Sequence, residues 1–298
     1  MKKIIFSILF SISMLFAQSE ASGLVDSVYW VDMHNGNDSN NGTSAATAFK
    51  TIHKVLATNT YLSSEVVTTT IKVMPSVVAG SPNGYYDFGD SELYLATSND
   101  FELIGVAGPD STIFDAESKN RHMSLYYGQS NKSIIQGITF RNGKSTNWPD
   151  GGSIYISNST NIQFIDCVWK NNSSSYGSDG GGAIHIREKA TPSFTSCVFD
   201  SNFMDVDDNS TSGGAISIQY PQNETDLKSA IKIKRSKFSN NYVKAKYQAT
   251  GGAIHSRRAI EIENSLFVNN GAISNNGGSN NSAFGGAIAF NINWYDNG

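Results

Sequence analysis

The sequence predicts an all-β protein: a right-handed parallel β-helix, or solenoid, with a short N-terminal capping helix. Two recurring elements support this prediction, Gly-Gly-Ala-Ile and an aromatic-x-x-Asn element that lies between its copies. The glycine pairs begin at Gly151, Gly181, Gly213, Gly251 and Gly285, at spacings of 30, 32, 38 and 34 residues. Such a period is typical of one supersecondary unit stacked on copies of itself, and the Leu-dominated consensus of a horseshoe fold is absent.

The first residues have the pattern of a secretory signal peptide, which we place at 1–21. Lys2 and Lys3 precede an apolar segment at 4–16, and small residues such as Ala21 follow it. The apolar segment is too short for a stable membrane span, and no other long apolar segment occurs. We therefore expect export, to the medium or to the cell surface and outer membrane, with no transmembrane helix in the mature chain.

Residues 22–67 are predicted to form an N-terminal cap region. Val28 to Asp32 has the composition of a strand, and Phe49, Ile52 and Val55 recur at helical spacing with Thr47 as the expected N-cap. A short helix there would cover one end of a stacked-strand core. Residues 68–298 are predicted to be the β-helix, and because Gly298 follows the last motif without an aromatic-Asn partner, we expect a further coil or cap beyond it.

Stacking the repeats in register places equivalent residues in columns. Aromatic and Asn columns are known to stabilise in-register parallel strands, so we interpret both as structural ladders. The aromatic column is Phe140, Trp169, Phe199, Phe238 and Phe267, and the asparagine column is Asn172, Asn202, Asn241 and Asn270.

The two cysteines, Cys167 and Cys197, occupy the same position in successive repeats. Neighbouring strands would bring them within disulfide range, but in-register strands do not readily supply the required dihedral angle. We favour two small buried side chains over a disulfide bond.

A basic segment between Lys228 and Lys246 resembles a nucleic-acid patch when taken alone. The same register, however, places Lys232 beside Glu261 and Lys234 beside Glu263. We therefore interpret the segment as a charge ladder on an outer face. With a net charge of −4, the chain gives no electrostatic reason to expect a nucleic-acid partner.

The repeats resemble a known family. Paired Gly-Gly-Ala-Ile and Phe-x-x-Asn elements from Gly151 onward are similar to the repeats of the polymorphic outer-membrane protein family, with Ser153 and Trp169 as departures. Passenger regions of that family are β-helical surface adhesins. The earlier Tyr29-Trp30-Val31-Asp32 and Asn35-Gly36-Asn37-Asp38 resemble the N-terminal region of bacterial pectin-lyase-like β-helix proteins, which implies the same fold.

A polar strip is predicted on the outer face of the glycine-started strands. Its members are Tyr155, His185, Arg187, His255 and Arg257, with His-x-Arg repeated two coils apart. That separation, roughly 10 Å, is too large for both histidines to bind one metal ion. The strip is a candidate site for an anionic glycan, and the alternative is an ordinary exposed sheet face.

Acidic residues do not converge in the pattern that general acid–base catalysis needs. Asp205, Asp207 and Asn209 resemble the start of a calcium loop, but no acidic residue closes it, and a solvated loop is the favoured interpretation. No cofactor is predicted, and calcium stays open as a ligand.

Adhesion or glycan binding is therefore the expected function, with an extracellular glycan or cell surface as the partner. The alternative is a polysaccharide lyase or glycoside hydrolase that acts on uronic-acid-containing polymers. No catalytic residue is assigned.

Overall fold

The fold is taken from a computed structural model of the chain. The described residues are 25–58, 66–79, 81, 83–88, 92–95, 99–126, 128–146, 150–175, 180–207, 209–219, 230–275 and 282–290. The predicted signal peptide at 1–21 lies outside this part of the chain. None of the helices within it has the length and apolar character needed to cross a bilayer.

Five sheets, named here A to E in the order in which a coil passes through them, run along the solenoid. Sheet A contains β1 Val25–Val31, β2 Val66–Val73, β5 Asp100–Gly105, β8 Ile134–Gln136, β12 Gln163–Ile165, β16 Ser193–Thr195, β21 Ile231–Lys234 and β26 Ile260–Glu263. Sheet B contains β3 Tyr86–Asp87, β6 Ile113–Asp115, β9 Thr139–Arg141, β13 Val168–Lys170, β17 Val198–Asp200, β22 Lys237–Ser239 and β27 Leu266–Val268. Sheet C contains β10 Lys144–Ser145, β14 Ser173–Ser174, β18 Phe203–Val206, β23 Tyr242–Ala245 and β28 Gly271–Ser274. Sheet D contains β19 Thr211–Ser212, β24 Gln248–Thr250 and β29 Ser282–Phe284. Sheet E contains β4 Leu93–Leu95, β7 Met123–Leu125, β11 Ile154–Ile156, β15 Ile184–Ile186, β20 Ile216–Ile218, β25 Ile254–Ser256 and β30 Ile288–Phe290.

Every pairing between these strands is parallel, and each strand pairs with its equivalent in the next coil. The predicted all-β fold, a right-handed parallel β-helix, is confirmed. The predicted pairs Lys232 with Glu261 and Lys234 with Glu263 are also present in the register of β21 and β26.

The N-terminal helix is shorter than its sequence pattern suggests. It runs from Ile52 to Leu56 as α1, and a 3-10 turn, η1, spans Ala45–Thr47. The expected N-cap at Thr47 is wrong: the hydroxyl of Thr51 accepts the backbone N–H of Lys54 instead. Phe49 lies outside the helix and forms a parallel bridge with Val31.

The main core lies inside the coils and is built from stacked aromatic rings. Trp169 stacks on Phe199 at a centroid distance of 4.7 Å, Phe199 on Phe238 at 4.6 Å, and Phe238 on Phe267 at 4.8 Å. Phe140 continues the column at 5.5 Å from Trp169. Side chains repeated at the strand spacing therefore fill the interior with near-parallel rings.

The asparagine column lies beside the aromatic one and faces the interior. Asn202 accepts hydrogen bonds from the backbone N–H and the amide of Asn172, and it donates to Asn241 and to the carbonyl of Trp169. Left-handed backbone occurs at the residues that precede these asparagines, such as Ser201 with φ 57°. The ladder residues thus satisfy buried backbone groups at the turn.

A second, smaller core lies outside the main one. From β17 onward each coil passes through sheets C and D after sheet B and before it reaches sheet E. Five buried side chains form this second cluster: Met204, Val206, Val243, Ala245 and Ala249. The repeat pattern of the sequence does not indicate these additional strands.

Both cysteines are free and buried, as predicted. The Sγ atom of Cys167 lies 3.4 Å from the carbonyl oxygen of Ile135. Burial raises the pKa of the Cys167 thiol, and it raises that of Cys197 to about 12, so both remain protonated packing groups.

His122 is a buried neutral group, which makes stability depend on pH. Its Nε2 lies 3.1 Å from the carbonyl oxygen of Phe114, its Nδ1 lies 2.9 Å from the Oγ of Ser153, and burial lowers its pKa to about 4. Between pH 6.5 and 4 the unfolded chain takes up a proton that the folded chain does not. We therefore expect the free energy of unfolding to fall by about 3 kcal/mol as the pH is lowered from 6.5 to 4. Above pH 6.5 this histidine is neutral in both states and the full stability is present.

Urea unfolding from pH 7.5 to 4.5 measures this dependence. The free energy of unfolding should fall less steeply with decreasing pH in His122→Gln than in wild type, because the substitution removes the group that titrates only in the unfolded chain. An unfolding free energy that stays constant down to pH 5 in wild type would contradict the account.

Candidate functional site

The strip predicted on sheet E is not a free outer face. Tyr155 is 3 % exposed, His185 1 % and His255 2 %, although the register places them in one column as expected. The expectation of an exposed sheet face is therefore wrong. One reason is local: the Gly-Gly corner packs against this face, since a Cβ on Gly151 would lie 3.2 Å from the Cβ of His185.

The arginines of the strip, Arg187 and Arg257, are half-buried. Burial, together with the positive charges of Arg187 and Arg121, lowers the pKa of His185 to about 3. His185 is therefore neutral near pH 7 and shielded from solvent, so it offers no cationic contact to an anionic glycan.

The acidic segment is part of a sheet rather than a free loop. Asp205 lies within β18, and its carboxylate is 3.3 Å from the ammonium of Lys244 on the neighbouring strand. Asp207 and Asn209 are exposed beyond the strand end. Within the described ranges no three His, Cys, Asp or Glu residues form a group that would hold a metal ion.

An open polar groove of about 750 Å³ runs along the outer face of sheet A. It extends across the coils of β8 to β26, which is roughly 19 Å at the usual strand spacing. Its lining is mostly amide and hydroxyl side chains: Ser130, Asn131, Asn161, Gln163, Thr191, Ser193, Ala230, Lys232 and Glu261. Such groups both donate and accept hydrogen bonds, as do the hydroxyls of a sugar chain.

Hydrogen bonds between coils hold the groove side chains in place. The Nε2 of Gln163 donates to the carbonyl oxygen of Asn131 at 2.6 Å. The Oδ1 of Asn161 accepts the backbone N–H of Thr191 at 3.2 Å and also the hydroxyl of Thr191. Because these groups are already ordered, binding a ligand here costs little side-chain entropy.

Charges line one end of the groove. Gln163, Ser193, Lys232 and Glu261 occupy equivalent positions on four successive strands. Among the described residues, Lys234 forms an ion pair with Glu263 at 2.8 Å, whereas Lys232 forms none with Glu261. The expected charge ladder is thus only partly formed, and Lys232 stays available to a ligand.

A second polar cluster lies on sheet E near the N-terminal end of the solenoid. The buried side chain of Arg121 is held by three groups. Its Nε is 2.6 Å from the Oε2 of Glu92, its Nη1 donates to the carbonyl of Asp150 at 3.1 Å, and its Nη2 donates to Ser145 at 3.4 Å. Burial raises the pKa of Glu92 although Arg121 opposes that shift.

Three tyrosines, here called the tyrosine row, follow one another along sheet E from the exposed Tyr94, beside Glu92, to the buried Tyr155. The rings of Tyr94 and Tyr126 are 5.5 Å apart, those of Tyr126 and Tyr155 are 5.0 Å apart, and His185 follows at 5.7 Å. Burial raises the pKa of Tyr126 to about 12. The cluster therefore offers neutral rings and a neutralised ion pair.

Neither the groove nor the Arg121 cluster was assigned a role from sequence. The sequence does contain a signal for the groove. Asn161-x-Gln163 and Thr191-x-Ser193 occupy the same position in successive repeats, and the residues between them, Ile162 and Pro192, are buried. Comparing the outer columns of sheet A, and not those of sheet E alone, would have shown it.

Comparisons with known proteins agree with this architecture. A solved structure named rhamnogalacturonan lyase matches with a TM-score of 0.51 and 15% sequence identity, over 89% of this chain and 62% of that one. At this identity the likeness concerns the fold, and the chain spans less than two thirds of that protein. No curated protein sequence matches the chain. The family described as right handed beta helix region matches residues 103–288, so the chain belongs to the right-handed β-helix family.

Proposed function

We propose that this protein is exported to the cell surface or the medium and acts in adhesion by binding extracellular glycans in the groove on sheet A. The observation that carries the proposal is the groove itself, with its fixed amide and hydroxyl lining across successive coils. An extended sugar chain that crosses the strands would meet side chains at equivalent positions about every 4.8 Å, which is the spacing between strands. Export rests on the signal-peptide pattern at 1–21.

The groove has the composition of a binding surface rather than of a catalytic centre. Its lining includes one carboxylate, Glu261, and one lysine, Lys232, at equivalent positions on neighbouring strands. Hydrolysis of a glycosidic bond ordinarily uses two carboxylates on opposite sides of the scissile bond. Hydrogen bonding along the chain is therefore the chemistry that this lining supports best.

A double variant, Asn161→Ala with Gln163→Ala, should weaken glycan binding about tenfold, because two side chains would each lose a hydrogen bond to the ligand. Arrays of plant, bacterial and host glycans, followed by titration calorimetry of each hit, measure this effect. Lys170→Ala, on the outer face of sheet B, is the matched control and should bind as wild type does. If the double variant binds every hit as wild type does, the groove is not the site.

The alternative function is a polysaccharide lyase or glycoside hydrolase for uronic-acid-containing polymers. The observation that favours it is Glu92, whose pKa is raised by burial while its carboxylate contacts Arg121. A general base works best with a pKa near the working pH, however. The pKa of Tyr126, about 12, and the pKa of His185, about 3, both lie far from that range.

Incubation with polygalacturonate, with and without calcium, separates the two functions. Glycan binding without unsaturated products or new reducing ends supports the proposal. Turnover that is lost in Glu92→Gln would support the enzyme instead. Turnover lost only in Asp207→Ala would implicate the acidic segment.

A further inference from the structure

We propose that the surface around Tyr94 on sheet E is a second carbohydrate subsite, separate from the groove on sheet A, and that it binds a neutral sugar ring. It is built from the tyrosine row and from the pair formed by Glu92 and Arg121.

Tyr94 supplies the stacking surface. Tyr94 is 50 % exposed, whereas Tyr155 at the other end of the row is buried. Tyr126 lies between them, so the exposed ring is packed against a row whose other end, Tyr155, is buried. A firmly held aromatic face beside solvent suits the apolar face of a sugar ring, since little ordering is needed on binding.

Glu92 supplies the hydrogen-bonding edge. It lies just before β4, and its Oε1 accepts a hydrogen bond at 3.5 Å from the hydroxyl of Ser124, the residue that pairs with Tyr94 in the register. Its carboxylate is fixed at 2.6 Å from the guanidinium of Arg121, and its side chain is 35% exposed. When a sugar ring stacks over Tyr94, one of its hydroxyls can donate a hydrogen bond to the Glu92 carboxylate, which is a strong acceptor in a fixed position.

The charges at this surface select against an ionic ligand. A cation that approached Glu92 would compete with Arg121, which is buried and held by two further groups. An anion would meet the Glu92 carboxylate before it reached the guanidinium. A neutral hydroxylated ring avoids both costs, because a pair that is already neutralised needs no further counter-charge.

Titration calorimetry with neutral galactan, arabinan and glucan oligosaccharides tests the subsite, with oligogalacturonate as the acidic comparison. We expect wild type to bind at least one neutral probe. Tyr94→Ala should weaken that binding by about tenfold or more, because the stacked ring is lost, whereas Tyr94→Phe should stay within about threefold. Tyr247→Ala, a second partly exposed tyrosine that lies near sheet D, is the matched control and should leave the affinity unchanged.

Three results would overturn the subsite: no neutral probe binds wild type, Tyr94→Ala binds as wild type does, or Tyr247→Ala loses as much affinity. Loss of glycan binding in the groove on sheet A is a separate outcome. The double variant Asn161→Ala with Gln163→Ala should keep the Tyr94-dependent binding of a neutral oligosaccharide. If that variant alone abolishes binding, the subsite is overturned and the groove stands.

Discussion

Gly214→Ala is expected to lower the free energy of unfolding by about 3 kcal/mol or more, because the interior corner of the coil has no room for a methyl group. A Cβ at this position would lie 2.0 Å from the carbonyl oxygen of Gly252 and 2.6 Å from that of Tyr242. Both obstacles are backbone atoms of the next coil, so they cannot rotate away. The coils would have to separate locally, and stacking would weaken on both sides.

Gly286→Ala is the matched control for this substitution. In the 298-residue chain it occupies the same motif position in the last described coil, where a Cβ would come no closer than 3.5 Å to any atom of the described residues. Urea denaturation followed by circular dichroism should show a large loss for Gly214→Ala and a change of less than about 1 kcal/mol for Gly286→Ala. Equal effects would mean that close approach between coils is not why this glycine is needed.

Asn202→Ala is expected to cost about 3 to 5 kcal/mol, because it leaves several buried polar groups without partners. The Asn202 side chain accepts the backbone N–H of Asn172 at 3.1 Å and its amide at 2.9 Å. It also donates to the carbonyl of Trp169 and to Oδ1 of Asn241, both at 3.0 Å. Alanine removes all four bonds, and a buried site gives water no ready access to replace them.

Asn270→Ala tests whether burial sets the size of this effect. Asn270 makes the same kind of bonds to Asn241 and to the carbonyl of Phe238, but it is half-buried at the end of the ladder. Water is expected to replace part of the lost bonding, so the cost should be clearly smaller, as judged by the same urea denaturation. A larger loss for Asn270→Ala than for Asn202→Ala would contradict the ladder account.

The repeat spacing was enough to predict which residues stack. In-register parallel strands place equivalent positions side by side, so the aromatic column, the asparagine column and the pairing of Lys232 with Glu261 followed from alignment alone. The roles within each Gly-Gly pair could not be read in this way. Gly213 has a left-handed φ of 73°, whereas Gly214 is needed for close approach between coils, and both roles select the same residue type.

Burial on the outer side of the coils was not predictable from alternation. Alternation shows that His185 and Ile186 face opposite ways, but not what lies outside the sheet. The excursion through sheets C and D and the packing of the Gly151 corner depend on how the coil folds outside the strand of sheet E, and alternation within that strand does not encode this. The same limit applies to the Arg121 cluster, whose members come from different coils and different repeat positions.

A crystal structure of the protein with an oligosaccharide that binds in the array is the most direct test of glycan binding on sheet A. We expect the sugar chain to lie along sheet A and to cross the strands, with hydrogen bonds to Gln163, Ser193 and Asn161 and with Lys232 at one end. A chain bound on sheet B or sheet C, with the groove on sheet A still open to solvent, would contradict it.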